Sequence, residues 1–160
     1  MIILGLDPGT HRIGYGLIKK EGNNFHFLEA GLLKIQTDPP QSFQEARSHL
    51  EKIVKKHQPE RLGIEKLFFM KNQKTAMSVA EMRGVLRLVA VENNLNLFEF
   101  SPNEIKLQVC GDGGADKLAV TKMVKLLLNL HDQKFIDDTW DALATAYTAA
   151  CQPHHLQQRA

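Results

Sequence analysis

The sequence predicts an α/β protein, a mixed five-stranded sheet with helices on both faces. Three observations carry that prediction. Residues 2–35 read as three strands joined by tight turns, residues 61–151 alternate between strand and helix periodicity, and no repeat, low-complexity tract or linker interrupts the chain. One domain spanning residues 1–160 is the expected organisation.

The elements follow in order. Ile2 to Asp7 is an aliphatic run entering an interior, Ile13 to Lys19 and Phe25 to Ile35 are the next two strands, and Gly9 and Gly22-Asn23-Asn24 supply the turns. Ser42 opens a helix through a capping box, Ser42-x-x-Glu45, with Phe43, Ala46, Leu50, Ile53 and Val54 as its apolar stripe and Pro59 closing it. Arg61 to Leu67 is a short strand in which Leu62-Gly63-Ile64 runs into Glu65. Residues 73–93 form the longest helix, and its stripe Met77, Ala80, Gly84, Leu88 and Val91 is read as core or dimer interface. Leu95 to Phe100 is the fifth strand. Ser101-Pro102-Asn103-Glu104 is a second helix start, with proline at the first helical position. Beyond the loop Gly111 to Gly114, the residues Val120, Met123, Val124 and Leu127 mark a further helix, and a last one runs from about Asp138 to Cys151. Three antiparallel strands followed by strands alternating with helices make a mixed sheet.

Composition narrows the function. The hydrophobic share of 43% and charged share of 24% are ordinary for a globular protein. No apolar run reaches the ~20 residues that span a bilayer, and Met1 leads straight into a strand, so a cytoplasmic protein without a membrane partner is expected. Cys110 and Cys151 form no CxxC, and scattered histidines offer no matched zinc ligands. The net charge is only +2, but its distribution is uneven. Lys66, Lys71, Lys74, Arg83 and Arg87 face Glu81 alone between residues 66 and 91, whereas residues 132–141 hold Asp132, Asp137, Asp138 and Asp141 against Lys134. A basic surface beside an acidic centre suits a phosphodiester substrate.

Asp7 poses the central question, because a strand entering an interior ends on a carboxylate. Asp7-Pro8-Gly9 is also good turn chemistry, with the aspartate bonding backbone amides ahead of it. Glu65 sits in or just after the fourth strand, and Gly-aliphatic pairs (Gly5-Leu6, Gly63-Ile64) precede both acids, as if both backbones approach something closely. Asp138 and Asp141 share a face at the start of the last helix, where acids also simply favour the terminus, Asp138 as its N-cap. Four clustered carboxylates repel unless cations neutralise them. Oxygen ligands without His or Cys select Mg²⁺, with Mn²⁺ as a substitute, and two such ions ~4 Å apart suit in-line phosphoryl displacement.

These residues resemble the RuvC-type Holliday junction resolvases nearly throughout the chain: Asp7-Pro-Gly-Thr, Arg12-Ile-Gly-Tyr-Gly16, Ile64-Glu65-Lys-Leu-Phe68-Phe69-Met-Lys71-Asn72, Arg83-Gly84-Val85, Ala115-Asp116-Lys117 and Asp138-Thr-Trp-Asp141-Ala-Leu-Ala144. The resemblance implies an RNase H-like fold, a homodimer, and Mg²⁺-dependent nicking of opposite strands of a four-way DNA junction, with branch-migration machinery of the RuvA/RuvB type as partner. It implies Asp7, Glu65, Asp138 and Asp141 as catalytic metal ligands, two ions per site, and Lys106 and Lys117 beside the scissile phosphate. Lys117 sits near a helix N-terminus, the wrong end for a cation, which a bound phosphate or plain solvation would explain. Phe68, Phe69, Lys71, Asn72, Lys74 and Arg83 complete the expected DNA contacts, with a phenylalanine, Phe68 by position, stacking on an unpaired base. Trp140 departs from the family's small residue, and the loop Gly111 to Gly114 is more acidic than in many relatives. A smaller YqgF-type nuclease lacks the Glu65-to-Asn72 and Asp138-to-Ala144 patterns. An actin-like ATPase needs a second domain, and a non-catalytic junction binder has no use for four acids.

Overall fold

The computed structural model describes residues 1–67 and 73–153, the side chains of 73–75 excepted. The elements run β1 (Ile2–Asp7), β2 (Arg12–Glu21), β3 (Asn24–Lys34), α1 (Gln41–His57), β4 (Arg61–Glu65), α2 (Gln73–Glu92), β5 (Asn96–Phe100), α3 (Pro102–Cys110), α4 (Lys117–Leu127) and α5 (Asp137–Cys151). The sheet order is β3-β2-β1-β4-β5. β1, β2 and β3 pair antiparallel, and β4 runs parallel to both β1 and β5. The mixed five-stranded sheet predicted from sequence is therefore present, with the predicted elements in their predicted order.

Strand alternation divides the interior in two. Leu4, Leu6, Ile13, Leu17, Leu62 and Ile64 pack with Ala46, Leu50 and Ile53 of α1 and Met82, Leu86 and Val89 of α2. On the opposite face Ile3, Ile18, Phe98 and Phe100 pack with α3, α4 and α5, where Val109, Val124, Leu143 and Ala146 are buried. Glycines bring α5 directly onto the strands. A Cβ at Gly5 would collide with the Ala142 carbonyl oxygen, and one at Gly14 with the Asp138 carbonyl oxygen. The close backbone approach expected at Gly5 and Gly63 is thus an approach to α5, since a Cβ at Gly63 would crowd the Thr145 carbonyl and the Ala149 methyl.

Two local expectations are corrected. Ser42 does not cap α1: the N-cap is Pro40 without a side-chain bond, and Ser42 lies buried inside the helix. Glu45 instead accepts from the Gln36 and Thr37 amides and the Thr37 hydroxyl, at 3.0, 3.1 and 2.8 Å. The second correction concerns α2: of the two roles expected for its stripe, core is overturned and dimer interface is not, since Met77, Leu88 and Val91 are 69%, 51% and 64% exposed. The buried face is Val79, Met82, Leu86, Val89 and Ala90.

Candidate active site

Leu6 of β1 stands beside Ile64 of β4, and both side chains join the α1–α2 core. Alternation therefore turns the next residues, Asp7 and Glu65, to the opposite face, where α5 lies. The close contact at Gly14 sets the first turn of α5 against β2, and this turn carries Asp137 and Asp138 with Asp141 one turn on. Asp138 is not the N-cap: Ile136 is, and it makes no side-chain cap bond.

The electrostatics show the four predicted acids at one place. Burial, and then Asp141, Glu65 and Asp138, push the Asp7 carboxyl from 3.8 up to about 7, with Lys117 opposing. Burial and Asp141 push Glu65 up to about 6 against Lys117 and Lys106. Asp141 is also raised by burial, although its hydrogen bond to Lys117 pulls the other way. Proton affinities shifted this way mark carboxylates short of positive charge.

Part of that charge is supplied from within. Lys117 Nζ lies 2.9 Å from Asp141 Oδ2 and 3.4 Å from Asp137 Oδ2, and Arg12 Nε lies 3.4 Å from Asp138 Oδ2. Lys117 is the first residue of α4, whose N-cap Asp116 accepts from the Ala119 amide at 2.8 Å. The unfavourable end of the helix is thus compensated by carboxylates of α5. α3 begins at the predicted start, through a capping box, Ser101 to Glu104 and back. A cavity of about 260 Å³ opens between these elements, lined by Glu65, Lys106, Lys117 and Asp141 with Pro102, Ile105, Val120 and Ala144.

The donor set fits a hard divalent cation by type: oxygens only, with Asp7, Glu65 and Asp141 destabilised as anions by burial and repulsion. As the side chains stand, no three carboxylates, imidazoles or thiols among the described residues converge closely enough to hold an ion. Lys117 and Arg12 sit against two of the four acids instead.

The remaining predicted residues divide. Phe68, Phe69, Lys71 and Asn72, and the side chain of Lys74, lie outside the described residues. Arg83 turns inward: Nε donates to the Glu65 carbonyl at 2.9 Å and Nη2 pairs with Glu99 at 2.9 Å. Trp140 is buried in the α3–α5 core, its Nε1 donating to the Phe135 carbonyl, so it packs behind the acids. Asp112 of the acidic loop accepts from the Gly114 amide at 2.8 Å. Sequence reasoning gave no role to Asp137 or Arg12. The spacing of Asp137 four residues before Asp141 was the available signal for the first, and Arg12 has none beyond its place in the first motif.

Comparison with known proteins places this site in context. The family model described as crossover junction endodeoxyribonuclease RuvC matches residues 3–149. A relative of that name from Pelotomaculum thermopropionicum is 40% identical over 157 residues, 97% of this chain and 94% of its own. One from Alkaliphilus metalliredigens is 40% identical over 156 residues, 96% and 95% of the two chains. Among solved structures, Thermus thermophilus RuvC in complex with a Holliday junction substrate superposes with a TM-score of 0.86 at 26% identity, covering 94% of this chain and 93% of that one.

Proposed function

The chain belongs to the RuvC family of crossover junction endodeoxyribonucleases, and from that premise we propose how its own residues bind and cut a four-way DNA junction. It is a nuclease that hydrolyses phosphodiester bonds of such junctions in recombination and repair. The observation that supports the site assignment is the meeting of two strand-end acids and two acids from the first two turns of α5 beside a pair of lysines.

Asp7, Glu65, Asp138 and Asp141 hold divalent cations, Mg²⁺ or Mn²⁺, two per site. When bound, such ions stabilise charge on the attacking and leaving oxygens of an in-line displacement. Partial burial raises the proton affinity of Asp7 and Glu65, so each carboxylate gains from a cation placed beside it. Lys117 and Lys106 reach the same cavity, where their ammonium groups can meet a phosphate oxygen as charge develops on it. Phe68, Phe69, Lys71, Asn72 and Lys74 contact the junction arms, the aromatics by stacking on a base and the lysines on phosphates.

Two symmetric nicks call for two identical centres, and a C₂ dimer supplies them. The exposed Met77, Leu88 and Val91 on α2 make the apolar face such a dimer would cover. Each protomer acts as one nuclease domain in the cytoplasm, with branch-migration machinery of the RuvA/RuvB type delivering the junction.

The test is a cruciform-extruding plasmid beside its relaxed duplex, with and without Mg²⁺. Direct conversion of the cruciform to a linear form, dependent on metal, is expected, with the duplex spared. Equal cutting of duplex, or nicked circles that never become linear in one binding event, would overturn the selectivity or the dimer respectively.

A further inference from the structure

We propose that Arg83, backed by Glu99, is a positioning residue for junction cleavage: it fixes the end of β4 and so the place from which Glu65 presents its carboxylate. The inference rests on the reading of Glu65 as a site residue. Pairing of β4 with β1 stops at Ile64, so Glu65 keeps a strand neighbour only on the β5 side, where it stands opposite Phe100. The next amide, Lys66 N, donates to the Phe100 carbonyl at 2.7 Å, and there the described strand edge ends. A catalytic side chain on the last residue of a strand inherits whatever freedom that end has. Arg83 removes it from the α2 side, its Nε donating to the Glu65 carbonyl at 2.9 Å.

The guanidinium is itself held. Its Nη2 lies 2.9 Å from Glu99 Oε2, and Arg87 Nε forms an ion pair with Glu99 Oε1 at 2.6 Å, without hydrogen-bond geometry. Glu99 is a β5 residue opposite Ile64, so the network ties α2, β4 and β5 together at one level. The Arg83 and Glu99 side chains are only 13% and 20% exposed, unlike the surface pairs elsewhere on the molecule. Charge-assisted bonds in such a setting hold geometry better than exposed pairs do. Only a planar fork meets a carbonyl and a carboxylate at once from two nitrogens; an ammonium in its place loses one of them. Two of the three guanidinium nitrogens are engaged inside the protein, which sets Arg83 apart from a lysine extended toward phosphate.

Displacing a catalytic group by about 1 Å can cost a hundredfold in rate while leaving binding intact. The experiment compares Arg83→Lys, Glu99→Gln and Glu65→Gln in the full-length protein. The readouts are junction affinity in Ca²⁺ or without metal, single-turnover cleavage at saturating junction in Mg²⁺, and the thermal midpoint. Arg83→Lys is expected to keep its affinity within about twofold and lose about ten- to a hundredfold in cleavage rate. Glu99→Gln should lose less, in the same pattern. Millimolar guanidinium added to Arg83→Ala should recover part of the rate where equal NaCl does not, a rescue that general destabilisation would not give. Arg83→Lys cutting at the normal rate, or binding weakly while turning over normally, overturns the inference; the second result would make it a DNA contact. Should Arg83→Lys fail to fold, Glu99→Gln carries the same comparison of affinity with rate. Glu65→Gln separates the two readings. If it cleaves normally the site assignment fails, and if it is inactive while Arg83→Lys is normal, only the positioning role fails.

Discussion

Asp7 and Glu65 stand on strand ends, while Asp138 and Asp141 stand on the first turns of a helix, and the two pairs meet their shared crowding differently. The strand pair is fixed by the sheet and half-buried, and among the described residues neither acid forms an ion pair with a cationic side chain. Its carboxyls rise to about 7 and about 6. The helix pair is closer to water and has cations at hand, Arg12 beside Asp138 and Lys117 beside Asp141. It also sits at the end of α5 where the backbone dipole favours negative charge. The strands thus supply rigid acids that store repulsion, and the helix supplies acids whose compensation can be exchanged for another cation.

The largest effect should come from breaking the strand half. Asp7→Asn is expected to lower cleavage by several orders of magnitude while junction affinity holds or rises, because repulsion toward phosphate falls. The same variant tests, without metal, the cost of burying this carboxylate and crowding it with other acids. The folded-state value of Asp7, about 7, lies above its ordinary 3.8. Below about pH 4 both folded and unfolded chains hold the proton; between there and about pH 7 only the folded chain does. Metal-free stability should therefore fall as pH rises through that window, by at most on the order of 4 kcal/mol from this group. Thermal melts without metal should show a flatter pH slope for Asp7→Asn, and an unchanged slope would show that Asp7 is not destabilised as an anion by burial and crowding.

A smaller effect is expected from the cation that serves the helix half. Lys117→Ala should lower turnover at saturating junction by about ten- to a hundredfold, with little change in affinity, since its charge acts at the reacting centre. Lys71→Ala should do the reverse, weakening binding and flattening its salt dependence by about one unit of log–log slope. Identical profiles for the two variants would make Lys117 an ordinary backbone clamp.

How much of this was legible follows from what each signal measures. Asp7 could be read because a strand reports its own end, and Glu65 because the glycine before each aliphatic residue reports close packing. The strand itself, β4, stops at Glu65 and not at Leu67 as expected. At two predicted helix starts the chain reads Ser-x-x-Glu, and only one of them forms a capping box. At Ser101 the chain arrives extended from β5, which the box needs. Pro40 is already helical in conformation, so Ser42 falls inside α1 and Glu45 turns to the Gln36 and Thr37 amides. On α2 apolar residues occupy more than one face, and a 3.6-residue period cannot choose among them; the core took Val79, Met82, Leu86 and Val89, leaving Met77, Leu88 and Val91 outside. Arg83 was read as a DNA contact because a basic residue in a basic stretch carries no sign of direction. Its partners, Glu65 and Glu99, come from two strands that sequence distance does not connect.

The smallest effect concerns Asp137, the residue that most sharpens the contrast between the two halves. Its side chain is 74% exposed and lies 3.4 Å from the ammonium of Lys117, which Asp141 holds at 2.9 Å. Asp137 thus offers Lys117 a second carboxylate, and each approach to it loosens the hold on Asp141. If the helix acids are compensated by exchangeable charge, removing this alternative leaves Lys117 more firmly on Asp141. Asp137→Asn should then raise the Mg²⁺ concentration for half-maximal cleavage about two- to threefold, with the rate at saturating Mg²⁺ nearly unchanged, as befits an exposed pair. High salt should erase the difference, because screening acts on charges open to solvent. A fall in the saturated rate instead would mean that Asp137 holds Lys117 in its working position. The helix half would then be as preorganised as the strand half, and the contrast between rigid and exchangeable acids would not stand.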